Sequence, residues 1–194
     1  MPRLIIFCKQ YDQCSTMYSM FKHYLGPNFT IPPNAPDLSK YRVVDMYTRC
    51  TESHVKEKIL DSFSAIDGNL RIVIGTIAFG MGLDCPDVRQ VIHWGPSADV
   101  EAYVQETGRA GRDGYMSRAT LYYSPANFRF SSPEMVDYCN STNVCKRTAL
   151  FKEFDDDTTI KPCILCSCCD MCESNCNCTL CSQQKYPVKC AFIC

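Results

Sequence analysis

Residues 89–123 read RQVIHWGPSADVEAYVQETGRAGRDGYMSRATLYY, and this stretch decides the fold class. Arg89–His93 is a short run with β-branched Val91 and Ile92, which is strand character. Ser97 can cap a helix that runs to about Thr107. Gly108, Gly111 and Gly114 punctuate the turn that follows, and Arg118–Tyr123 is a second strand. A strand, a helix and a strand in close succession predict a parallel pair joined by a right-handed crossover.

The same alternation extends toward the amino terminus. Arg3–Cys8 reads as a buried strand. Residues 14–25 place Met17, Met20, Phe21, Tyr24 and Leu25 at helical spacing, and Gly26-Pro27 stops that helix. Residues 27–38 carry four of the 11 prolines and read as a surface loop. Arg42–Tyr47 is a further strand, and Thr51 is a candidate cap for a helix with Val55, Ile59, Leu60 and Phe63 on one face. Asp67-Gly68 makes a turn before a strand at Leu70–Ile74. The expected architecture is α/β: a parallel sheet flanked by helices. Toward the carboxyl terminus the pattern becomes helical, in one segment opened by Pro133 and another over Val144–Phe154.

Composition bounds the function. At 194 residues the chain is one domain, or one domain with an appendage. With 46% apolar and 21% charged residues it is globular in usage. Twenty Lys+Arg against 21 Asp+Glu give a net charge of −1, which excludes a wholly basic nucleic-acid coat but not a local basic groove. No apolar run approaches membrane-spanning length, so no membrane partner is expected. Leu4–Phe7 is too short for the apolar core of a signal peptide, and Cys190 stands one place too early for a prenylation box.

Cysteine is distributed unevenly. Of 16 cysteines, only Cys8, Cys14, Cys50 and Cys85 precede residue 139, whereas the last glycine is Gly114. The composition therefore breaks into a conventional part to about residue 130 and a cysteine-rich remainder. With no secretory signal the expected compartment is intracellular and reducing, where clustered thiols hold metal more often than they form disulfides.

Two stretches carry the chemistry. In Tyr103–Gly114, Arg109 and Arg112 stand three residues apart among glycines. Glycine allows tight turns and close approach, and arginine offers a permanent planar cation suited to phosphate oxygens. The pair reads as a polyphosphate clamp, or alternatively as a surface turn with solvated arginines. In residues 75–95 a strand ends at Gly75-Thr76, and a loop with Gly80 and Gly82 ends at Asp84. Loops at strand carboxyl ends line the ligand crevice of an open parallel sheet. Thr76 can offer its hydroxyl to a phosphate there, and Asp84 can bond a ribose hydroxyl. Glu106 and Asp113 are expected to orient the arginines. His23 and His54 read as surface residues, His93 and Trp94 as packing, and Arg3, Arg42 and Arg49 as ordinary surface arginines or, alternatively, as phosphate contacts.

Together these stretches resemble the second motor domain of superfamily 2 helicases, specifically the RecQ family of DNA helicases. Gln105-x-x-Gly-Arg109-x-x-Arg112 resembles helicase motif VI in its RecQ wording, and Ala78-Phe-Gly-Met-Gly-Leu-Asp84 resembles motif V. A DEAD-box protein would carry His-Arg where Gln105-Glu106 stand. Ile5–Cys8 followed by a helix resembles motif IV, and the likeness runs from about residue 3 to residue 172. It implies that ATP with Mg²⁺ sits between two RecA-like lobes and is held mainly by the first. In this lobe the resemblance makes Arg112 the arginine finger, with Arg109 assisting and Gln105 coupling the site to nucleic acid. Gly82 and Asp84 would meet the nucleotide. Thr76, Thr48 and Thr51 would meet a DNA phosphate. Single-stranded or forked DNA as partner, 3′-to-5′ translocation and a nuclear address (cytoplasmic in a bacterium) are further implications.

The RecQ family also carries a small zinc-binding module after the motor. Cys145-Lys146-Arg147 before an apolar helix and Cys169-Asp-Met-Cys172 resemble its first and last ligand segments. The implied Zn²⁺ ligands are Cys145, Cys166, Cys169 and Cys172, with Cys163 a serious rival for Cys166 and Cys168 a weaker one. The expected division is a RecA-like lobe over 1–130, a helical zinc module over 131–174 and an irregular cysteine-rich tail over 175–194. Cys176, Cys178, Cys181, Cys190 and Cys194 have no family counterpart.

No Gly-x-x-x-x-Gly-Lys-[Ser/Thr] phosphate loop and no Asp-Glu-x-His box occur, and 22 residues follow Cys172, too few for a winged-helix domain. The chain is therefore expected to be the carboxyl-terminal part of a helicase whose first lobe lies elsewhere, and to bind ATP weakly and not hydrolyse it alone. Two alternatives belong to other classes. One is a non-catalytic half-helicase that binds DNA or a partner, and the other is a metal-binding protein whose tail carries the function.

Overall fold

The structure is a computed structural model that describes residues 1–76, 85, 87–152 and 168–176. Five strands form one sheet: β1 Arg3–Cys8, β2 Val44–Tyr47, β3 Ile72–Gly75, β4 Val88–Trp94 and β5 Arg118–Tyr122. Their order is β2-β3-β1-β4-β5, and every neighbouring pair is parallel. β1 lies at the centre because it is apolar on both sides. Ile5 and Phe7 point to one face, and Ile6 and Cys8 to the other.

Each face is covered by a helix whose apolar stripe fits it. Helix α1, Tyr11–Leu25, lays Cys14, Met17, Tyr18 and Phe21 against Ile6, Val44, Ile72 and Ile74. Helix α2, Ser53–Ser64, lays Ile59 and Phe63 against Ile5, Val73 and Val91. A third cluster joins helix α3, Val100–Thr107, to α4, Pro133–Asn140, and α5, Lys146–Phe151, through Val100, Tyr103, Met135, Cys139 and Leu150. A short helix α6 spans Asp170–Ser174.

The strands and helices fall where the periodicity predicts, but two caps do not. Thr51 does not cap α2, whose cap position is Glu52. Its hydroxyl accepts the Thr48 N–H at 2.9 Å and closes a turn at the end of β2. Ser97 does not cap α3. Asp99 does, accepting the Ala102 N–H at 2.7 Å, while the Ser97 hydroxyl donates to Glu106 at 2.6 Å. In both places a hydroxyl finds a better partner than an orphan helix N–H.

Arg3 is not a surface residue either. It is 3% exposed, bonds Asp87 and the Ala65 carbonyl, and lies over the Phe63 ring. Arg42 pairs with Asp37 at 2.6 Å and Asp45 at 3.1 Å, so of the three scattered arginines only Arg49 is openly exposed.

Phe63 anchors α2 and is fully buried. Phe63→Ala is expected to cost about 3–5 kcal/mol of unfolding free energy in a denaturant titration. A loss under about 1 kcal/mol would mean that α2 does not seal this face.

Candidate nucleotide, nucleic-acid and metal sites

The arginine turn is built from the end of α3. Glu106 lies in the last turn of that helix and is buried. Its carboxylate meets His93 Nε2 at 2.8 Å and accepts the Ser97 hydroxyl. His93 is itself wedged between Phe7 and Tyr103, with ring centroids 5.2 and 4.8 Å away. The helix end is thereby fixed to β4. The chain then turns through Gly108–Gly114. The Gly111 N–H donates to the Val88 carbonyl at 3.0 Å, which pins the turn at the amino end of β4.

On that turn Arg112 is exposed, with Nε donating to the Gly108 carbonyl at 3.4 Å. Arg109 is half-buried, and its guanidinium is pushed below the usual arginine range by burial first and by the neighbouring Arg112 second, with Glu106 acting in the opposite sense. Burial and like-charge repulsion are the two costs that a bound polyanion offsets. Gln105 is exposed on α3. The two flanking acids, expected to orient the arginines, bond residues of β4 and the loop after it. Glu106 is held by His93 and Ser97, and Asp113 bonds Arg89 at 2.9 Å. Arg89 was not legible from the sequence, because only the fold brings it within reach of a residue 24 positions away.

The hydroxyl residues occupy the opposite edge of the sheet. The register pairs Tyr47 with Gly75, so Thr48 and Thr76 leave adjacent strands at their carboxyl ends. The Thr48 and Thr51 hydroxyls lie 3.3 Å apart, and Thr51 Oγ1 also donates to the Met46 carbonyl at 3.3 Å. Thr48 is 2% exposed, which leaves Thr76, half-buried, as the more open of the two strand-end residues. The rule that ligands lie beyond strand carboxyl ends therefore locates Thr76 and not the arginine turn. The crossover through α3 carries the turn back to the amino edge. Gly82 and Asp84 lie outside the described residues. Cys85 just beyond them is buried, with Sγ donating to the Phe63 carbonyl at 3.3 Å.

The third site is a thiol cluster. The Sγ atoms of Cys145, Cys168, Cys169 and Cys172 all lie within 4.8 Å of one another. Cys145 Sγ is 3.7 Å from that of Cys168 and 3.9 Å from that of Cys169. Four sulfurs bound tetrahedrally at the usual Zn–S length stand about 3.8 Å apart, so the donor set and its spacing fit Zn²⁺. Burial pushes the Cys172 thiol up to about 12, with bonds to Cys169 and Cys145 adding to it. At Cys145 burial acts upward too, but the Thr148 N–H and the Cys172 and Cys168 thiols outweigh it and bring the value down to about 7. Thiols that share protons in this way become thiolates together when a cation is bound. Lys146 supports the cluster by donating through Nζ to the carbonyls of Tyr138, Cys139 and Ser141 at 2.9, 3.0 and 2.7 Å, which caps α4. Three of the expected ligands meet here. Cys166 and Cys163 lie outside the described residues, and the fourth described thiol belongs to Cys168. Among the imidazoles, His23 and His54 are exposed and His93 is buried, as expected of surface and packing residues. Trp94, expected to pack, is instead 45% exposed at the end of β4, beside Tyr122.

The chain is similar in sequence and in fold to known proteins. Residues 1–114 match the helicase conserved C-terminal domain. The chain is 34% identical over 154 residues to the ATP-dependent DNA helicase Q-like 2 of Arabidopsis thaliana, covering 73% of this chain and 20% of that protein. It is 40% identical over 118 residues to the ATP-dependent DNA helicase Q1 of Rattus norvegicus, covering 54% of this chain and 19% of that protein. The chain thus spans about a fifth of the length of these curated relatives. In fold it is similar to domain 2 of the DEAD-box helicase Mss116p bound to an RNA duplex, with a TM-score of 0.55 and 18% identity over 72% of this chain and 48% of that one.

Gly111 has a φ of +71°, and a Cβ there would stand 2.5 Å from Ser117 Oγ and 3.0 Å from the Tyr115 carbonyl oxygen. Gly114 has a φ of +80° with open space around it. Gly114→Ala carries backbone strain alone, about 1 kcal/mol, and Gly111→Ala carries that strain plus a clash. Thermal unfolding is expected to place Gly111→Ala clearly below Gly114→Ala, and equal midpoints would contradict the close packing of Gly111 against Tyr115 and Ser117.

Proposed function

The chain belongs to the helicase conserved C-terminal domain family, with Q-type DNA helicases as its curated relatives, and on that premise we propose that it is the second motor lobe of an ATP-dependent DNA helicase. The observation that carries this reading is the division of the sheet into a cationic amino edge and a hydroxyl-bearing carboxyl edge. A lobe with this layout meets nucleotide on one side and a nucleic-acid strand on the other.

At the amino edge Arg112 is the arginine finger, which offsets the charge that develops on the transferring phosphoryl group. Arg109 contributes a second cation at the phosphates, and Gln105 links the site to the bound strand. Gly82 and Asp84 approach the nucleotide. The phosphate loop, the Mg²⁺ carboxylates and the attacking water come from a first RecA-like lobe, the required partner. At the carboxyl edge Thr76 donates to a DNA phosphate, and Thr48 with Thr51 shapes the adjoining strand end. ATP binding draws the two lobes together and hydrolysis releases them, so the chain moves 3′ to 5′ along single-stranded or forked DNA.

The thiol cluster is a structural zinc site. Cys145, Cys169 and Cys172 hold the ion with Cys168, Cys166 or Cys163 as the fourth ligand, and the ion supplies folding energy that so small a module lacks. On this reading the RecA-like lobe spans 1–130, the zinc module 131–174 and the tail 175–194.

Two measurements test the proposal. The isolated chain is expected to hydrolyse no ATP. Together with a first lobe, Arg112→Ala is expected to lower kcat by about 10³–10⁵. Turnover by the isolated chain, or an Arg112→Ala variant that is not slowed, overturns the motor reading, and salt-dependent strand binding that ignores ATP would favour a non-catalytic half-helicase. Elemental analysis is expected to find about one zinc per chain, lost in Cys169→Ser, with Cys168→Ala, Cys166→Ala and Cys163→Ala identifying the fourth ligand. More than one zinc, with function that survives Arg112→Ala, would favour a metal-binding protein instead.

A further inference from the structure

Asp113 follows Arg112 directly, yet its carboxylate is committed across the turn to β4. Arg89 Nη1 donates to Oδ1 at 2.9 Å, and Nη2 donates to Oδ2. Oδ1 also accepts the Tyr115 N–H at 3.2 Å, and the Arg89 guanidinium lies 5.5 Å from the centre of the Tyr115 ring. The bond from Arg89 is the main influence holding the Asp113 carboxyl below the usual carboxylate range. Asp87, which pairs with the buried Arg3, also favours the charged form of Arg89. The amino edge thus carries an alternating series, Arg3, Asp87, Arg89 and Asp113, that ends on the arginine turn.

We infer that Arg89 and Asp113 are positioning residues that set the phosphate-binding geometry of Arg109 and Arg112. The inference deepens the phosphate role proposed above for this turn and rests on it. The bond from the Gly111 N–H to Val88 fixes the turn at the start of β4. The fork at Asp113 adds a second point two residues later, so Arg112 lies between two anchors on the same strand. A two-pronged arginine–carboxylate bond also fixes orientation, which a single contact does not. A partly exposed ion pair adds little to stability, and displacing a phosphate-binding group by about 1 Å is costly to function, so the effect of the pair is felt in binding rather than in folding.

The test is titration of the full chain with inorganic tripolyphosphate, followed by NMR at the Nε–H signals of Arg109 and Arg112. Charge alone and positioning predict opposite results for Asp113→Asn. Removing an anion beside two arginines tightens polyphosphate binding if charge is all that matters. If Asp113 positions the turn, Asp113→Asn weakens binding, on the order of tenfold, with an unchanged melting midpoint. Arg89→Lys keeps the cation and loses the fork, so it is expected to weaken binding too, by less than Arg89→Gln. Binding as tight as wild type in Asp113→Asn, or no loss in Arg89→Lys, overturns the inference while leaving the clamp intact. Wild-type chain that gives no response, or one that Arg112→Ala does not abolish, overturns the phosphate role of the turn and this inference with it.

Discussion

The buried carboxylate of Glu106 is the constraint on which the rest depends. It sits in the final turn of α3 and is gripped by His93 from the end of β4 and by Ser97 from the loop that leads into the helix. A carboxylate this deep is tolerated only when its bonds are made, and removing a partner leaves a costly buried charge. The same demand makes the pair specific. With His93 stacked on Phe7 of the central strand, α3 can take one position against the sheet. Everything functional on the following turn inherits that position.

From this anchoring follows the separation of the two chemistries. β4 runs from Val88 to Trp94, and α3 returns alongside it, so the turn after α3 arrives where β4 begins. The hydroxyls at the ends of β2 and β3 stay at the other edge. β3 ends at the carboxyl edge and β4 begins at the amino edge. Gln105 and Arg112 lie on one helix and the turn that follows it.

The thiol cluster follows a different logic. The helices around it are short, and α5 and α6 have six and five residues, too few to be stable alone. Two devices compensate. Met135, Cys139 and Leu150 pack on α3, and Lys146 ties three carbonyls at the end of α4 to the start of α5. The Lys146 N–H also donates to Cys169 Sγ at 3.4 Å, so the segment that caps α4 also shapes the sulfur site.

The parallel sheet was legible in the sequence because its signal is local. Strands such as Arg3–Cys8 and Ile72–Gly75 are dense in β-branched or apolar residues, and α1 and α2 carry their stripes at helical spacing. The arginine turn and the cysteine segments were legible for the same reason, since each is a short motif of unusual composition. What the sequence could not determine was partnership at long range. That Asp113 turns to Arg89, Glu106 to His93 and Ser97, and the buried Arg3 to Asp87 depends on strand order and on which residues the crossovers bring together, which a linear pattern does not encode. The sequence by itself chose the elements and the reactive side chains. The tertiary structure alone decided on which edge of the sheet each one works, because the return path of α3, fixed by a buried carboxylate, carries the arginines away from the strand ends that hold the hydroxyls.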